Sequence, residues 1–143
     1  MLQAIESAKL ASEHGDVPVA AIVFDASGTP IGSARNEREL RTDPTAHAEV
    51  LALREAAEHT GSWQLENTTL VVTLEPCAMC AGAILLARVP VVIFGAWDHK
   101  AGAAGSVYDL LRDRRLPHRV EVFAGVEAEA SSAMLKEFFE AKR

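Results

Sequence analysis

Thr68-Thr-Leu-Val-Val-Thr-Leu-Glu-Pro-Cys-Ala-Met-Cys80 is the stretch whose reading decides the fold. Residues 68–74 are β-branched and apolar, which predicts a strand. The end of that strand delivers the chain directly into Glu75-Pro76-Cys77 and a helix reaching to about residue 87. Cys77 and Cys80 are three apart at the helix start, so their sulfurs share one face and lean back over the N-terminus. The helix dipole there lowers the pKa of a thiol toward the thiolate that binds metal.

Working outward, the helix after Cys77 is apolar almost all round. Ile84, Leu85 and Leu86 cannot all face one sheet at 3.6 residues per turn, which predicts contact with another subunit. Residues 89–94 predict a fourth strand and 120–123 a fifth. The Gly-Ala-rich span 95–119 between them reads as a functional loop, with a short helix over 107–111. A last helix over 127–143 sets Ala130, Met134 and Phe138 inward. Upstream, Met1, Ala4, Ile5, Ala8 and Ala11 recur at helical spacing, with Gly15 as the stop. Residues 17–24 and 31–35 predict a hairpin closed by the turn at 25–28. A helix then starts at Asp43-Pro44-Thr45, capped by Asp43 with Pro44 at its first position or by Thr45 itself, and runs to Gly61. After the hairpin, strands alternate with helices, so the sheet should be largely parallel and covered on both faces. In such sheets ligands sit beyond the carboxyl ends of strands, where the cysteine pair lies.

His47-Ala48-Glu49 completes the chemistry. In the first turn of a helix both His47 and Glu49 can lean back past the helix end toward a common point, which predicts two helix N-termini facing one another. His47, Cys77 and Cys80 then form a three-donor set for zinc, whose fourth corner is left to water, the mark of a catalytic site. Bound Zn²⁺ brings the pKa of its water to about 7. Glu49, not needed as a ligand, is the natural proton carrier. A lone Cys-x-x-Cys also fits a thioredoxin-like redox pair, but the His-x-Glu at a second helix start and the proline before Cys77 argue for metal. A closed structural zinc site would need a fourth donor, and no third cysteine exists. His14 and His59 sit near helix C-termini, where the dipole favours a positive ring, and His99 and His118 lie in loops with no metal role.

Bulk composition bounds the rest. The chain has 143 residues, 49% hydrophobic and 24% charged, which suits one domain over 1–143 with a real core. The apolar run 78–87 is too short to cross a bilayer, and Glu6 interrupts the stretch a signal peptide would need, so a cytosolic (cytoplasmic) protein without membrane contact is expected. Two cysteines three apart cannot staple distant segments, as a secreted scaffold requires. The net charge of −6 argues mildly against nucleic acid. Between 99 and 119, however, Lys100, Arg112, Arg114, Arg115 and Arg119 stand against Asp109 and Asp113, a local excess of positive charge.

The pattern H-x-E…P-C-x-x-C is that of zinc-dependent nucleobase deaminases. Val17-Pro-Val, Asp43-Pro-Thr-Ala-His-Ala-Glu49, Thr73-Leu-Glu-Pro-Cys-Ala-Met-Cys-Ala-Gly-Ala83, Phe94-Gly-Ala and Gly102-Ala-Ala-Gly-Ser106 extend the match over nearly the whole chain. The sequence thereby resembles the tRNA-specific adenosine deaminases of the cytidine/deoxycytidylate deaminase superfamily. The resemblance implies a cytidine-deaminase-like three-layer α/β/α sandwich with a five-stranded mixed sheet, a homodimer, one Zn²⁺ per subunit, and conversion of the wobble adenosine of a tRNA anticodon stem-loop to inosine. It also implies that Asn36 holds the target nucleotide and that Asp98 lies beside its neighbours. Trp97 and His99 flank Asp98 in place of the family's more usual residues, and Ala20 stands where glycine is common. A deaminase of a free nucleobase or nucleoside (guanine, cytosine or adenosine type) is the alternative that the acidic charge favours. A non-catalytic zinc module binding RNA is a third, for which Glu49 would have no use.

Overall fold

A computed structural model describes residues 1–143. The elements run α1 (Leu2–Lys9, continued by a 3₁₀ turn Leu10–His14), β1 (Ala20–Phe24), β2 (Pro30–Arg35), α2 (Arg38–Arg41), α3 (Ala48–Thr60), β3 (Thr69–Leu74), α4 (Ala78–Leu86), β4 (Val91–Ala96), β5 (Glu121–Phe123) and α5 (Ala128–Ala141). The five strands form one sheet in the order β2-β1-β3-β4-β5. The hairpin and the β1/β3 pair are antiparallel, while β3/β4 and β4/β5 are parallel. The sheet is therefore mixed, and half of its pairings are parallel.

Strand alternation assigns the layers, because successive side chains point to opposite faces. Ala21, Val23, Leu70, Val72, Val92 and Phe94 join Ala52, Leu53 and Ala56 of α3 and Ala81 and Ile84 of α4 in the main core. Ile22 and Val71 face the other way and meet Ala4 of α1, with Phe24 and Ile93 against them. The helices α1 and α5 cover that second face, giving the three expected layers. Gly32 lies under α3 so closely that a Cβ would overlap the backbone of Ala52 and Ala56.

Several boundaries differ from the sequence reading, each for a local reason. β1 starts at Ala20 rather than 17, because Pro18 has no N–H for the ladder and the Val19 amide turns back to the Val17 carbonyl (2.8 Å). Pro90 delays β4 to Val91 in the same way, and Val89 closes the exit of α4 through the Ile84 carbonyl (3.3 Å). The short helix expected over 107–111 is absent: the segment is held by turns and an Ala104–Asp109 bridge. On α5 the buried residue is Ser131, seated against Gly95, whereas Ala130 is exposed. Met134 and Phe138 are half-buried, as their spacing predicts.

Neither proposed cap starts the helix after 43–45. Asp43 Oδ1 accepts from the Thr45 amide (2.8 Å) and hydroxyl (2.7 Å), a local turn that satisfies the cap-like chemistry without a helix. The helix α3 begins at Ala48 with His47 at its N-cap, and the His47 side chain makes no capping bond. Asn36, at the exit of β2, takes over: its Oδ1 accepts from the Ala48 amide (2.9 Å) and its Nδ2 donates to the Val17 carbonyl (3.2 Å). His47 is thus free to turn elsewhere.

Candidate metal centre and substrate cavity

Both helix starts converge as expected. His47 is the N-cap of α3, Cys77 is the N-cap of α4, and Cys80 lies in the first turn of α4. The Nδ1 of His47 is 3.6 Å from the Cys77 sulfur and 3.5 Å from the Cys80 sulfur. Zinc bonds to sulfur at about 2.3 Å and to nitrogen at about 2.0–2.1 Å, so a tetrahedral edge spans about 3.6 Å. These separations are coordination edges in the right place. No other group of three or more His, Cys, Asp or Glu donors gathers in this way.

The protonation chemistry of the donors points the same way. The Cys77 thiol is pushed down to about 4, first by the hydrogen bond from Cys80, against the cost of its partial burial. Cys80 is held up, first by its bond to Cys77 and then by burial. His47 is raised, chiefly by its bond to Cys77. Two sulfurs this close cannot both ionise unless positive charge lies between them, and a divalent cation supplies that charge. The residues therefore fit a metal ion.

A cavity of about 500 Å³ opens beside the donors. Glu49, Asn36 and Glu75 form its polar floor, Val17, Val19 and Leu74 its apolar walls, and Arg38, Trp97, Asp98, His99, Lys100 and Phe139 its outer parts. Glu49, in the first turn of α3, is only 4% exposed. Burial pushes its carboxyl up to about 7, into the range of a general acid or base at neutral pH. All six residues singled out from the sequence, His47, Glu49, Cys77, Cys80, Asn36 and Asp98, are thus at or beside one cavity. A larger groove of about 800 Å³ between α1 and α5 has no histidine or cysteine in its lining.

Glu75 is the residue that the sequence reading passed over. It is 2% exposed, yet its Oε2 accepts from the Asp98 amide (2.9 Å) and its Oε1 from the amides of Ala104 and Ser106 (both 3.0 Å). The Ala103 amide donates to the Pro76 carbonyl (2.7 Å) alongside. One carboxylate thereby fastens the loop after β4 to the turn that carries Cys77. Within the fastened loop the amides of Val107 (3.3 Å) and Tyr108 (3.0 Å) turn back to the Gly102 carbonyl and that of Leu110 to the Ala103 carbonyl (2.9 Å) instead of forming a helix, and Gly102 is required because a Cβ there would overlap the Glu75 carboxylate. The signal was an acid at the end of a buried strand, directly before Pro-Cys. Asp98 in turn accepts from the amides of Lys100 (3.0 Å) and Ala101 (3.1 Å), and Ser106 Oγ donates to its carbonyl (2.7 Å).

The remaining histidines lie outside the metal cluster. His14 and His59 occupy last turns, and His118 Nε2 donates to the Val89 carbonyl (3.0 Å). The positive stretch is partly neutralised by its own acids, since Arg112 pairs with Asp109 (2.9 Å) and Arg115 with Asp113 (2.7 Å). No helix is long and apolar enough to cross a membrane.

Comparison with known proteins places these features. The profile of the MafB19-like deaminases matches residues 1–143. The tRNA-specific adenosine deaminase of Bacillus subtilis (strain 168) is 47% identical over 139 residues, covering 97% of this chain and 86% of that protein. The tRNA-specific adenosine deaminase of Haemophilus influenzae is 45% identical over 143 residues, covering 100% and 83%. A solved structure from work on A-to-I editing by tRNA:A34 deaminases at the wobble position superposes with a TM-score of 0.87 at 35% identity, covering 92% of this chain and 94% of that one. The guanine deaminase of Bacillus subtilis superposes at 0.65 with 30% identity, covering 97% and 90%.

Proposed function

Because the chain belongs to the tRNA-specific adenosine deaminase family, we propose that it hydrolyses the wobble adenosine of a tRNA anticodon stem-loop to inosine and ammonia, with one Zn²⁺ held by His47, Cys77 and Cys80. The observation that carries this reading is the three-donor cluster at tetrahedral spacing with a buried, unspent carboxylate beside it.

Bound there, Zn²⁺ would supply the positive charge that makes a water acidic near neutral pH. The proton work falls to Glu49. It takes a proton from the attacking water as the oxygen adds to C6 of adenine and delivers that proton to N1. It then carries the second proton to the exocyclic amine, which leaves as ammonia while the C6 carbonyl forms. Asn36 commits its Oδ1 and one N–H to the scaffold, and its second N–H is offered to the purine. Asp98, at the cavity's outer part, orders the loop that meets the neighbouring nucleotides. Val17, Val19 and Leu74 exclude water around the base. An anticodon loop suits such a site, since extruding an unpaired base costs least.

The reading includes a cytoplasmic homodimer. Its support is the outer face of α4, where Leu86 is 75% exposed beside exposed Trp63 and half-buried Val50. The deciding experiment incubates zinc-loaded enzyme with an anticodon stem-loop carrying a wobble adenosine, beside free adenosine, cytidine and guanine. Inosine in the RNA is expected. Ammonia from a small substrate, with no product in RNA, would establish instead the free-base reading that the acidic charge and the guanine deaminase likeness favour.

A further inference from the structure

The cavity has a floor and a rim of different kinds. Glu49 and Asn36 are buried at the floor, whereas Trp97, His99 and Lys100 are open to solvent at the rim. Trp97 is 41% exposed and stands outside both hydrophobic core clusters. Its ring is nonetheless fixed. It meets Phe94 edge-on, with centroids 4.9 Å apart and planes at 85°. A Cβ on Gly105 would come within 3.2 Å of its benzo edge, so the indole lies against bare backbone. The next residue's amide is tied to Glu75 at 2.9 Å, which stiffens the loop that carries the ring.

A rigid aromatic with an open surface, set beside cations on a cavity rim, is the combination that binds single-stranded nucleic acid. The ring offers a face to a base, the cations meet the phosphates, and little side-chain entropy is lost because the ring is already held. We propose that Trp97 is a stacking platform for the unpaired base adjoining the reacting adenosine. The inference rests on the RNA reading above and deepens it by adding a subsite for a flanking nucleotide. The reacting base must reach the buried floor to meet the metal donors, so an aromatic on the rim meets what stays outside. Stacking is tolerant of base identity. The subsite therefore reads the presence of a neighbouring base more than its sequence, and it discriminates against a free nucleoside, which has no neighbour to stack.

The test uses anticodon stem-loops that are intact or abasic at either nucleotide flanking the target, with zinc-loaded wild type, Trp97→Phe and Trp97→Ala. Trp97→Ala should raise KM by about tenfold with kcat changed far less, and Trp97→Phe should recover most of the loss. For wild type, one abasic position should raise KM by a similar factor, and on the Ala variant the same lesion should add nothing. An equal abasic penalty in wild type and variant, or a fall in kcat at unchanged KM, would overturn the proposal. Should Trp97→Ala not fold, the difference in tryptophan fluorescence between wild type and Trp97→Phe isolates the Trp97 signal. Titration with inosine-bearing product stem-loop should quench it, and no change would overturn the proposal. Wild type inert on every stem-loop yet active on a free base or nucleoside would overturn the RNA reading as well, and that result is told apart because no variant is needed to see it.

Discussion

Glu49 and Glu75 are both buried carboxylates beside the same cavity, and their hydrogen bonds separate their work. Three backbone amides occupy Glu75, whereas Glu49 lies in the first turn of a helix with its carboxyl pushed up to about 7 by burial. Glu49→Ala should leave the metal content unchanged by elemental analysis and lower kcat by about 10²–10⁴-fold, the worth of a positioned acid-base group. Unchanged turnover would remove Glu49 from the mechanism. Glu75→Gln should act differently. Whichever way the new amide turns, its NH₂ faces at least one backbone N–H, so a buried donor loses its acceptor at a cost of about 1–3 kcal/mol. The expected result is a lower denaturation midpoint and a higher KM with metal still bound. A variant that lost metal but kept its KM would show that the clamp serves the cysteine turn instead of the loop.

At the level of elements, the start of α3 is the joint that matters, because a strand exit caps the helix whose N-cap residue is a metal donor. Asn36→Ala removes that cap, and about 1 kcal/mol of stability should go with it. The loss would appear in thermal melts and in faster hydrogen exchange at the Ala48 amide. Competition with a chelator should also report weaker metal binding, since His47 rides on the uncapped turn; unaltered metal affinity would sever that link. This joint also marks where sequence stops being legible. The three donors and Glu49 could be read because i, i+2 and i, i+3 spacings at helix starts are local facts. The true start of α3 could not, because Asp43, Pro44 and Thr45 have the chemistry of a cap and spend it on a turn, while the working cap lies twelve residues upstream of Ala48. Residues 107–111 read as helix for a similar reason: the amides of Val107, Tyr108 and Leu110 go to the Gly102 and Ala103 carbonyls, further upstream than a helix would reach, in a loop that Glu75 fastens. The hairpin and the covering of both faces followed from the pattern, but the sheet is half parallel where a largely parallel one was expected, because the crossover through α3 carries the chain past β1 and sets β3 antiparallel to it; Pro18 and Pro90 moved the strand starts by removing a donor.

For the whole molecule, the question is what covers α4. Its three consecutive aliphatics divide as helical geometry requires, with Ile84 buried, Leu85 half-buried and Leu86 outside. Leu86→Glu places a charge on a side chain that is 75% exposed in the protomer, so the fold should survive. Sedimentation or light scattering should show a dimer for wild type and a monomer for the variant; a dimer persisting in the variant would move the interface elsewhere, and a monomeric wild type would remove the dimer. The same face of the sheet has a quieter dependence at its far edge. Gly32 sits at an edge strand, with α3 resting directly on its backbone, and α3 carries His47 at its leading end. Any side chain added there prises the roof beam off its wall and tips the histidine at the far end. In a drifting lineage, the codon that protects this chemistry therefore includes one for a residue that meets neither ion nor RNA.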